Sequence, residues 1–577
     1  MKPNQPHHTI TSLHRTPAGL HSLDLIISKI TDYAEQYPNQ DLRILIINDE
    51  NANYALPISA LGYQVTNLHQ SETAMQKAQA LSLELGIEFT AKTGTIDQEQ
   101  SAKYHIVINP SLPCESAEIS NVLGLMTDKI NSQGIIISGS GLNHSFPALL
   151  AEIRDSHLRV YSAVPSSFMF PKLFGKFSQK IKKGSGLFHF LDAFDALLSS
   201  RLPRRYASSY IISCKNKTSD NLVVHILPTL ESGGGAERLV MQLSERLPEH
   251  GFESHIIAIV RGGSMESILR EQNIGFTVLE RQGIFGRFTN IFRLKNFLQD
   301  LNPDIVHTHL SASNFFGRLS ARMAGCKNVI TTMHNVRMYH GRAGEFIMRA
   351  MKNFSALYIA ISKDVAVYLE RELKIPTDKI TIIPNGVEIS KIKKRQSRPF
   401  FDIPKILFVG RLEPQKNPDI FLEALAQVHR PYECHIYGQG SMEHELKRLA
   451  DELGILPRIF WHGVASDVYD VYAKHDLFVL PSAWEGFGLV AIEAAVSGIP
   501  MIASDLPVMR ELFGEKTTLV KPGNAKDLAV AIQDVFDRPA AAINRAEQLA
   551  CQDFTKYSIQ TMTNKYAELY ESIKFKD

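Results

Sequence analysis

Short apolar segments rich in β-branched residues alternate with helix-like segments along most of the chain, and this alternation is the strongest constraint on its fold. The pattern is typical of parallel sheets whose two faces are covered by helices. We therefore predict an α/β protein made of Rossmann-like, doubly wound units. The strand-like segments are residues 42–48, 105–110, 134–138, 222–227, 304–310, 405–410 and 476–481.

Two polar stretches interrupt the alternation and indicate domain boundaries. Residues 215–221 read KNKTSDN, and residues 388–404 form a basic, proline-containing segment that fits neither a helix nor a strand. The length of 577 residues also exceeds what one hydrophobic core usually organises. We predict three α/β units and a final helix that packs back on the last two units. Their bounds are 1–216, 221–390, 400–555 and 556–577.

The charge balance and the cysteines exclude several classes of function. The chain has 62 basic and 60 acidic residues, so its net charge of +2 gives no sign of nucleic-acid binding. Its five cysteines contain no Cys-x-x-Cys pair, which suggests neither a zinc site nor a disulfide framework. Because no apolar stretch has the length of a signal-peptide core or a membrane span, we expect a cytoplasmic protein.

Two cations follow the strand-like segment 405–410, namely Arg411 and Lys416. Ligands of open α/β sheets bind at the carboxyl ends of strands. A guanidinium fork and a mobile ammonium group at such a position suit a diphosphate. An exposed surface turn is the alternative interpretation of these two residues taken alone.

A glycine-containing turn with two carboxylates lies further along, in residues 481–500. Glu485 precedes the turn, and Glu493 lies in the helix expected after it. Backbone amides at a helix N-terminus favour an anion, so one carboxylate could face a donor sugar and the other a ribose. Alternatively, Glu485 caps the helix and Glu493 is a solvated residue. The residues that would present these amides are Gly486, Phe487 and Gly488.

In combination, these residues resemble the donor-site pattern of the retaining family-four glycosyltransferases, which have the two-halved GT-B architecture. The resemblance covers about residues 221–577. It implies transfer of a sugar from a nucleoside diphosphate sugar to a glycan or lipid-linked glycan acceptor, with retention at the anomeric carbon, as in polysaccharide biosynthesis. The matching segments are Arg411, Lys416, Glu485-x7-Glu493, GGGAER (233–238), DIVHTH (304–309), TTMHN (331–335), IAISKDVA (359–366), IIPNGVE (382–388) and IYGQG (436–440).

The resemblance also implies roles for single residues. Arg411 and Lys416 would bind the donor diphosphate in place of a metal ion, so neither a metal nor another cofactor is expected. Glu493 would bind the ribose, and Glu485 would contact the donor sugar or its phosphates. His334 corresponds to the sugar-contacting histidine of the family. The expected catalytic residues are therefore Glu485, His334, Arg411 and Lys416.

Two further residues are expected in the acceptor or sugar cleft. His309 ends a strand that faces this cleft, and Asn385 belongs to the turn Asn385-Gly386, which we expect to be a hinge between the halves. For His309, as for His334, a purely structural role is an equal alternative.

The GGGAER segment contributes Gly234 and Gly235, which would let its loop approach the donor phosphates. It differs from a dinucleotide-binding fingerprint in two ways. Arg238 replaces the third glycine, and Arg261 stands where such proteins present an acid to the ribose. An NAD-dependent oxidoreductase is therefore disfavoured.

The N-terminal unit is similar to class I S-adenosylmethionine-dependent methyltransferases in residues 43–71 and 188–216. Its departures fall on the residues that would do the chemistry. The positions of the three family glycines are held by Asn48, Glu50 and Ala52. His69 replaces the ribose-binding acid, and Glu50 adds bulk and negative charge to the cofactor loop. We expect a degenerate domain that does not bind S-adenosylmethionine.

Residues 171–183, PKLFGKFSQKIKK, have the pattern of a basic amphipathic helix. Such a helix could bind an anionic membrane surface, which would place the enzyme peripherally on the inner face of the cell membrane. Packing on its own domain is an equal alternative.

Two other functions remain open. The chain could be a bifunctional methyltransferase and glycosyltransferase, or a non-catalytic scaffold that binds sugar nucleotides. The scaffold alternative is disfavoured because the donor-site residues are all present, namely Arg411, Lys416, Glu485 and Glu493.

Overall fold

The computed structural model describes most of the chain, and every structural statement below concerns those residues. They are residues 17–36, 41–47, 49, 52–97, 99, 103–110, 116–140, 153, 158–167, 209–216, 221–231, 234–279, 286–336, 341–396, 398–465 and 468–574. The chain divides into two compact units, Met1–Thr218 with Asn296–Asn302 and Ser219–Lys295 with Pro303–Asp577. The expected segment 171–183 lies outside the described residues.

The first unit contains a mixed sheet with the strand order β3-β2-β1-β4-β5-β7-β6. Strands β1 to β5 are parallel to one another, whereas β7 runs antiparallel to both β5 and β6. Its strands are Arg43–Ile47, Gln64–His69, Thr90–Thr93, Tyr104–Asn109, Ile130–Ser140, Leu158–Ser167 and Ser209–Asn216, numbered β1 to β7. Its helices are Pro17–Gln36, Ala55–Ala60, Glu72–Leu85 and Ser116–Lys129, numbered α1 to α4.

The second unit contains two parallel sheets, and the first has the order β10-β9-β8-β11-β12-β13-β14. We call the part built around it the first half. Its strands are Asn221–Thr229, Phe252–Arg261, Gly275–Val278, Ile305–His309, Val329–Met333, Leu357–Ala360 and Ile380–Ile382, numbered β8 to β14. Its helices are Gly235–Arg246, Met265–Glu271, Gly286–Leu301, Leu310–Ala324, Gly341–Ala350 and Lys363–Arg371, numbered α5 to α10.

The other sheet of this unit has the order β17-β16-β15-β18-β19-β20, and we call the part around it the second half. Its strands are Lys405–Val409, Glu433–Tyr437, Ile459–Gly463, Leu477–Leu480, Met501–Ser504 and Thr518–Val520, numbered β15 to β20. Its helices are Pro418–Leu425, Glu443–Glu452, Leu489–Ser497, Pro507–Phe513, Ala525–Asp537 and Pro539–Ala550, numbered α11 to α16, and Ile559–Lys574, numbered α17, ends the described chain.

Burial explains why the central strands are continuous apolar runs. All five residues of β11 and of β12 are buried, because helices cover both faces of a doubly wound parallel sheet. Polar side chains fix several helix ends. Ser362 caps α10 by accepting a hydrogen bond from the amide of Val365, and Asn524 caps α15 in the same way through Asp527. The predicted α/β class and the predicted strand segments are confirmed.

The final helix returns to the first half. Tyr570 donates or accepts a hydrogen bond with His307 over 2.7 Å, and its ring meets that of Phe252 edge-on. The segment before the helix pairs with the crossover between the halves, since Val387 donates to the carbonyl of Tyr557 and Ile559 donates back to Val387. The C-terminal segment of this unit is therefore tied to the crossover and to the first half.

No helix within the described part of the chain is both long enough and apolar enough to cross a bilayer.

Candidate functional site

The central group of the site is an ion pair between Lys416 and Glu485 at the carboxyl ends of β15 and β18. Lys416 Nζ donates to Glu485 Oε1, and the hydroxyl of Ser482 donates to the same oxygen over 2.7 Å. The two ionic side chains are only 12% and 6% exposed. A nearly buried carboxylate of this kind needs such partners, because an unpaired buried charge is strongly unfavourable.

Arg411 joins this group through Gln415. Its guanidinium donates to Gln415 Oε1 over 3.2 Å, and Gln415 Nε2 donates to the carbonyl of Trp484, next to Glu485. Arg411 and Lys416 therefore lie at one sheet edge, as predicted, and the surface-turn alternative does not describe Lys416. The bridging role of Gln415 was missed, although it lies between the two predicted cations.

The loop after β18 brings the two halves of the second unit into contact. Gly486 lies against the backbone of the first half, where an added Cβ would be 2.1 Å from the carbonyl oxygen of His334. Glycine is required there by this close approach. The neighbouring Phe487 buries its ring edge-on against Tyr557, which leaves its backbone as the part that faces the site. Helix α13 begins after Gly488 with no side-chain cap, so Glu485 does not cap it.

Glu493 is buried in α13, which rules out the solvated alternative. Tyr472 donates a hydrogen bond to Glu493 Oε2 over 2.6 Å. Burial raises the pKa of Glu493, whereas the bond from Tyr472 and the positive charge of Arg238 act in the opposite direction. Tyr472 and Arg238 were not predicted as partners of Glu493, because both are distant from it in the sequence.

The first half contributes the N-terminus of α5. Gly234 precedes this helix and Gly235 begins it, at a point where an added Cβ on Gly235 would meet the side chain of Leu489 at 3.6 Å. The next acid, Glu237, faces Arg411 of the second half; burial raises its pKa and the charge of Arg411 lowers it. The predicted glycines therefore lie opposite the predicted cations.

A chain of imidazoles runs from the half-buried His334 to buried histidines in the sheet of the first half. His334 Nε2 lies 3.2 Å from His309 Nδ1, and His309 Nε2 lies 3.1 Å from His225 Nδ1. Burial lowers the pKa of His225 to about 3 and that of His334 to about 4, and it holds the pKa of His309 well below its usual value. The rings are therefore neutral near pH 7 and relay hydrogen bonds without carrying charge.

His225, His307 and His309 have ligand nitrogens within 4.8 Å of one another, and the described part of the chain offers no other such group for a metal. His307 already bonds Tyr570 and Thr332, each over 2.7 Å. Both nitrogens of His309 bond neighbouring histidines. A metal ion here would break these bonds, so we assign the group to hydrogen bonding.

Asn385 is buried at the crossover between the halves. The adjacent Gly386 does not have a positive φ. An added Cβ there would be 2.5 Å from the Cα of Ile559, at the start of α17. Close packing on the final helix, and not an unusual backbone angle, therefore requires this glycine.

In the first unit, the backbone amides that follow the loop after β1 are bonded by the side chain of Asp49, which belongs to the same loop. The carboxylate of Asp49 accepts hydrogen bonds from the amides of Asn53, Tyr54 and Ala55, at 2.8, 2.9 and 2.9 Å. Burial raises the pKa of Asp49 to about 6. Ala52 has a φ of 52°, the conformation that a glycine adopts more readily. His69 is buried; Asn48 and Glu50 lie outside the described residues.

Two family models cover most of the second unit. Residues 233–391 match the model described as Glycosyltransferase Family 4, and residues 390–552 match Glycosyl transferases group 1. The boundary between them coincides with the crossover between the two halves.

Several known glycosyltransferases are similar in sequence. The UDP-Gal:alpha-D-GlcNAc-diphosphoundecaprenol alpha-1,3-galactosyltransferase of Escherichia coli is 28% identical, over 49% of this chain and 78% of its own length. The D-inositol 3-phosphate glycosyltransferase of Mycolicibacterium smegmatis is 29% identical, over 60% of this chain and 90% of its own.

Solved structures share the fold. The crystal structure of Anabaena Alr3699/HepE in complex with UDP and glucose has a TM-score of 0.55 at 19% identity, over 61% of this chain and 100% of its own. A glycosyltransferase from Rickettsia africae has a TM-score of 0.53 at 22% identity, over 62% and 99%. Residues 233–552 thus form a glycosyltransferase of the GT-B type, related to family 4 and group 1, which uses a nucleotide sugar.

Proposed function

We propose that this enzyme transfers a sugar from a nucleoside diphosphate sugar to a glycan or lipid-linked glycan acceptor, with retention at the anomeric carbon. The main support is the nearly buried pair of Lys416 and Glu485, with the exposed Arg411 beside it, opposite the N-terminus of α5. Two cations and a helix N-terminus favour an anion between them. The acceptor class is supported by one relative whose name gives GlcNAc-diphosphoundecaprenol as acceptor and by another that is named for lipopolysaccharide core biosynthesis.

In this proposal the donor diphosphate replaces Glu485 as the ionic partner of Lys416. The phosphate oxygens offer the ammonium group a stronger partner, and Arg411 supplies a second cation as charge develops on the leaving group. Glu485, released from the pair, then faces the sugar together with the backbone amides of residues 486–488. No metal ion is required, because the two cations neutralise the leaving group.

Glu493 binds the ribose through the oxygen that Tyr472 does not hold. His334 contacts the sugar from the first half, and the neutral chain behind it fixes its ring orientation. A neutral imidazole suits this place, since it can donate a hydrogen bond without adding charge beside the diphosphate.

The first unit is proposed to be a degenerate methyltransferase-like domain that serves as a platform for an acceptor, a partner or a membrane. Its sheet order, with β7 antiparallel between β5 and β6, supports the resemblance. The carboxylate of Asp49 accepts the hydrogen bonds of the three amides that an anionic cofactor group would need. We also propose a cytoplasmic enzyme that binds the inner face of the cell membrane peripherally.

Two measurements test the proposed reaction. Full-length protein is screened by thermal shift against UDP-, GDP- and ADP-sugars, because a ligand of the folded state raises the melting temperature. The accepted donor is then used with glycan and lipid-linked acceptors, and proton NMR reads the anomeric configuration of the product. A retained configuration without added metal, and unchanged turnover in a chelator, are expected. Inversion or a strict magnesium requirement would contradict the mechanism.

A further inference from the structure

The surroundings of Glu493 combine residues from both halves of the glycosyltransferase. Its carboxylate is bonded by Tyr472 of the second half. The positive charge of Arg238 in the first half also acts on it and lowers its pKa. A carboxylate buried this deeply needs compensation for its lost solvation, and here part of that compensation comes from across the cleft.

Arg238 is held by Tyr469, three residues before the tyrosine that bonds Glu493. Its guanidinium donates a hydrogen bond to the Tyr469 hydroxyl and lies 4.8 Å from the centre of the ring. Both interactions are available only when α5 lies against the segment that carries Tyr469 and Tyr472. Arg238 is thus in place when the halves are together and is withdrawn when they separate.

We propose that Arg238 is a positioning residue that completes the ribose subsite from the opposite half, so that Glu493 binds a ribonucleotide tightly only in the closed enzyme. The inference rests on the proposed function, because it takes Glu493 as the ribose ligand. It adds a residue outside the donor-binding half and a physical link between closure and donor affinity. Arg238 acts through Glu493 and Tyr469 and does not itself contact the donor.

The charged and titratable groups facing this network are few. Tyr469 and Tyr472 are buried phenols; burial raises the pKa of Tyr469 to about 12 and that of Tyr472 well above its usual value, so both stay protonated. Glu388 also acts on Tyr469 but is itself paired with Arg246. Loss of Arg238 therefore leaves Glu493 without its cation and raises the pKa of that carboxyl further.

The test compares Arg238→Gln with a matched control, Arg246→Gln. Both arginines lie on α5 and both bond the second half, but Arg246 pairs with Glu388 and does not act on Glu493. Calorimetry on the full chain measures binding of UDP, GDP and ADP, and then of the 2′-deoxy form of whichever binds most tightly. A Glu493→Gln variant and the double variant with Arg238→Gln complete a cycle.

Arg238→Gln should weaken ribonucleotide binding about tenfold at pH 7, the size of one lost charge interaction. When the pH is lowered, the variant should begin to lose ribonucleotide affinity at a higher pH than the unmodified enzyme does. The reason is that Glu493 becomes protonated earlier in the variant, and a protonated carboxyl accepts a hydrogen bond from a ribose hydroxyl poorly. Binding of the 2′-deoxynucleotide should change little, and in the Glu493→Gln background the Arg238 change should have almost no effect.

Equal losses in Arg238→Gln and Arg246→Gln would reduce Arg238 to a general contact between the halves and overturn the inference. An undiminished loss in the Glu493→Gln background would also overturn it. If Glu493→Gln itself binds ribo- and deoxyribonucleotides as the unmodified enzyme does, the ribose assignment in the proposed function fails. Absence of binding of all three diphosphates would contradict the donor site, and the inference with it.

Discussion

At the scale of single residues, the two carboxylates of the turn have different surroundings, and this difference suggests different roles. Glu485 is held by Lys416 and Ser482, both of which a bound donor can replace. Glu493 is held by Tyr472 inside the protein, where it is available before and during reaction. An interaction present in both states affects binding, and one that strengthens in the transition state affects rate.

We therefore expect Glu493→Ala to weaken binding of the nucleoside diphosphate and Glu485→Ala to lower turnover at saturating donor. Calorimetry gives the first quantity and steady-state kinetics the second. Val530→Ala, on an exposed face of α15, serves as the control and should change neither. Equal effects of both glutamate changes on affinity and rate would show that the roles are misassigned.

The residues predicted from sequence and those missed differ in a physical way. Lys416 and Glu485 were recognisable because each follows a strand at the edge where parallel sheets bind ligands. The bond between Arg238 and Tyr469 joins residues 231 positions apart, and no local pattern reveals it. The burial of Glu493 was likewise undetermined, because a glutamate five residues into a helix is usually solvated.

At the scale of elements, the neighbouring strands β8 and β11 place neutral histidines on one face of the sheet. His225 and His307 are register partners, and His309 follows on the same face. The strands themselves were predictable, since a continuous apolar run indicates a strand buried on both faces. The histidine chain was not, because it depends on which strands are adjacent in the sheet.

These histidines predict how stability depends on pH. Burial holds the pKa of each ring below its usual value, so between the folded value and about 6.5 the unfolded chain binds more protons. Stability should therefore be complete above pH 6.5 and fall as the pH decreases below it, by up to about 1.4 kcal/mol per pH unit for each histidine.

Urea unfolding between pH 5 and 7.5 measures this slope. His225→Asn should reduce the slope by up to about 1.4 kcal/mol per pH unit, because the unfolded chain then binds one proton fewer. The exposed His444→Asn is the control and should leave the slope unchanged. An unaltered slope in His225→Asn would mean that His225 is not held neutral in the folded protein.

At the scale of the whole molecule, the chain joins a glycosyltransferase to a first unit whose loop after β1 is bonded by its own Asp49. Asp49 accepts hydrogen bonds from the amides at the start of α2, and Ala52 has a positive φ of 52°. The general fold was predictable from the strand pattern, whereas the self-bonded loop was not.

We expect the full chain to show no measurable S-adenosylmethionine binding by calorimetry. The carboxylate of that cofactor would have to displace Asp49 from three amides and approach its like charge. Glu50→Gly should leave glycosyl transfer unchanged. Micromolar binding, or methyl transfer to a glycan, would favour a bifunctional enzyme instead.

The most direct measurement of the central claim is donor turnover in Arg411→Ala and Lys416→Ala beside Lys447→Ala. Lys447 is an exposed cation of the same half that pairs with Glu443 of its own helix and lies over the ring of Trp461, away from the donor-site residues in the sequence. Both donor-site variants should lose at least about two orders of magnitude in kcat, because a preorganised charge partner of the leaving group is gone. Arg411→Ala should melt like the unmodified protein, whereas Lys416→Ala should melt at a lower temperature, because it leaves the nearly buried Glu485 without its cation. Lys447→Ala should keep its rate; near-normal turnover in Arg411→Ala and Lys416→Ala would contradict the assigned donor site.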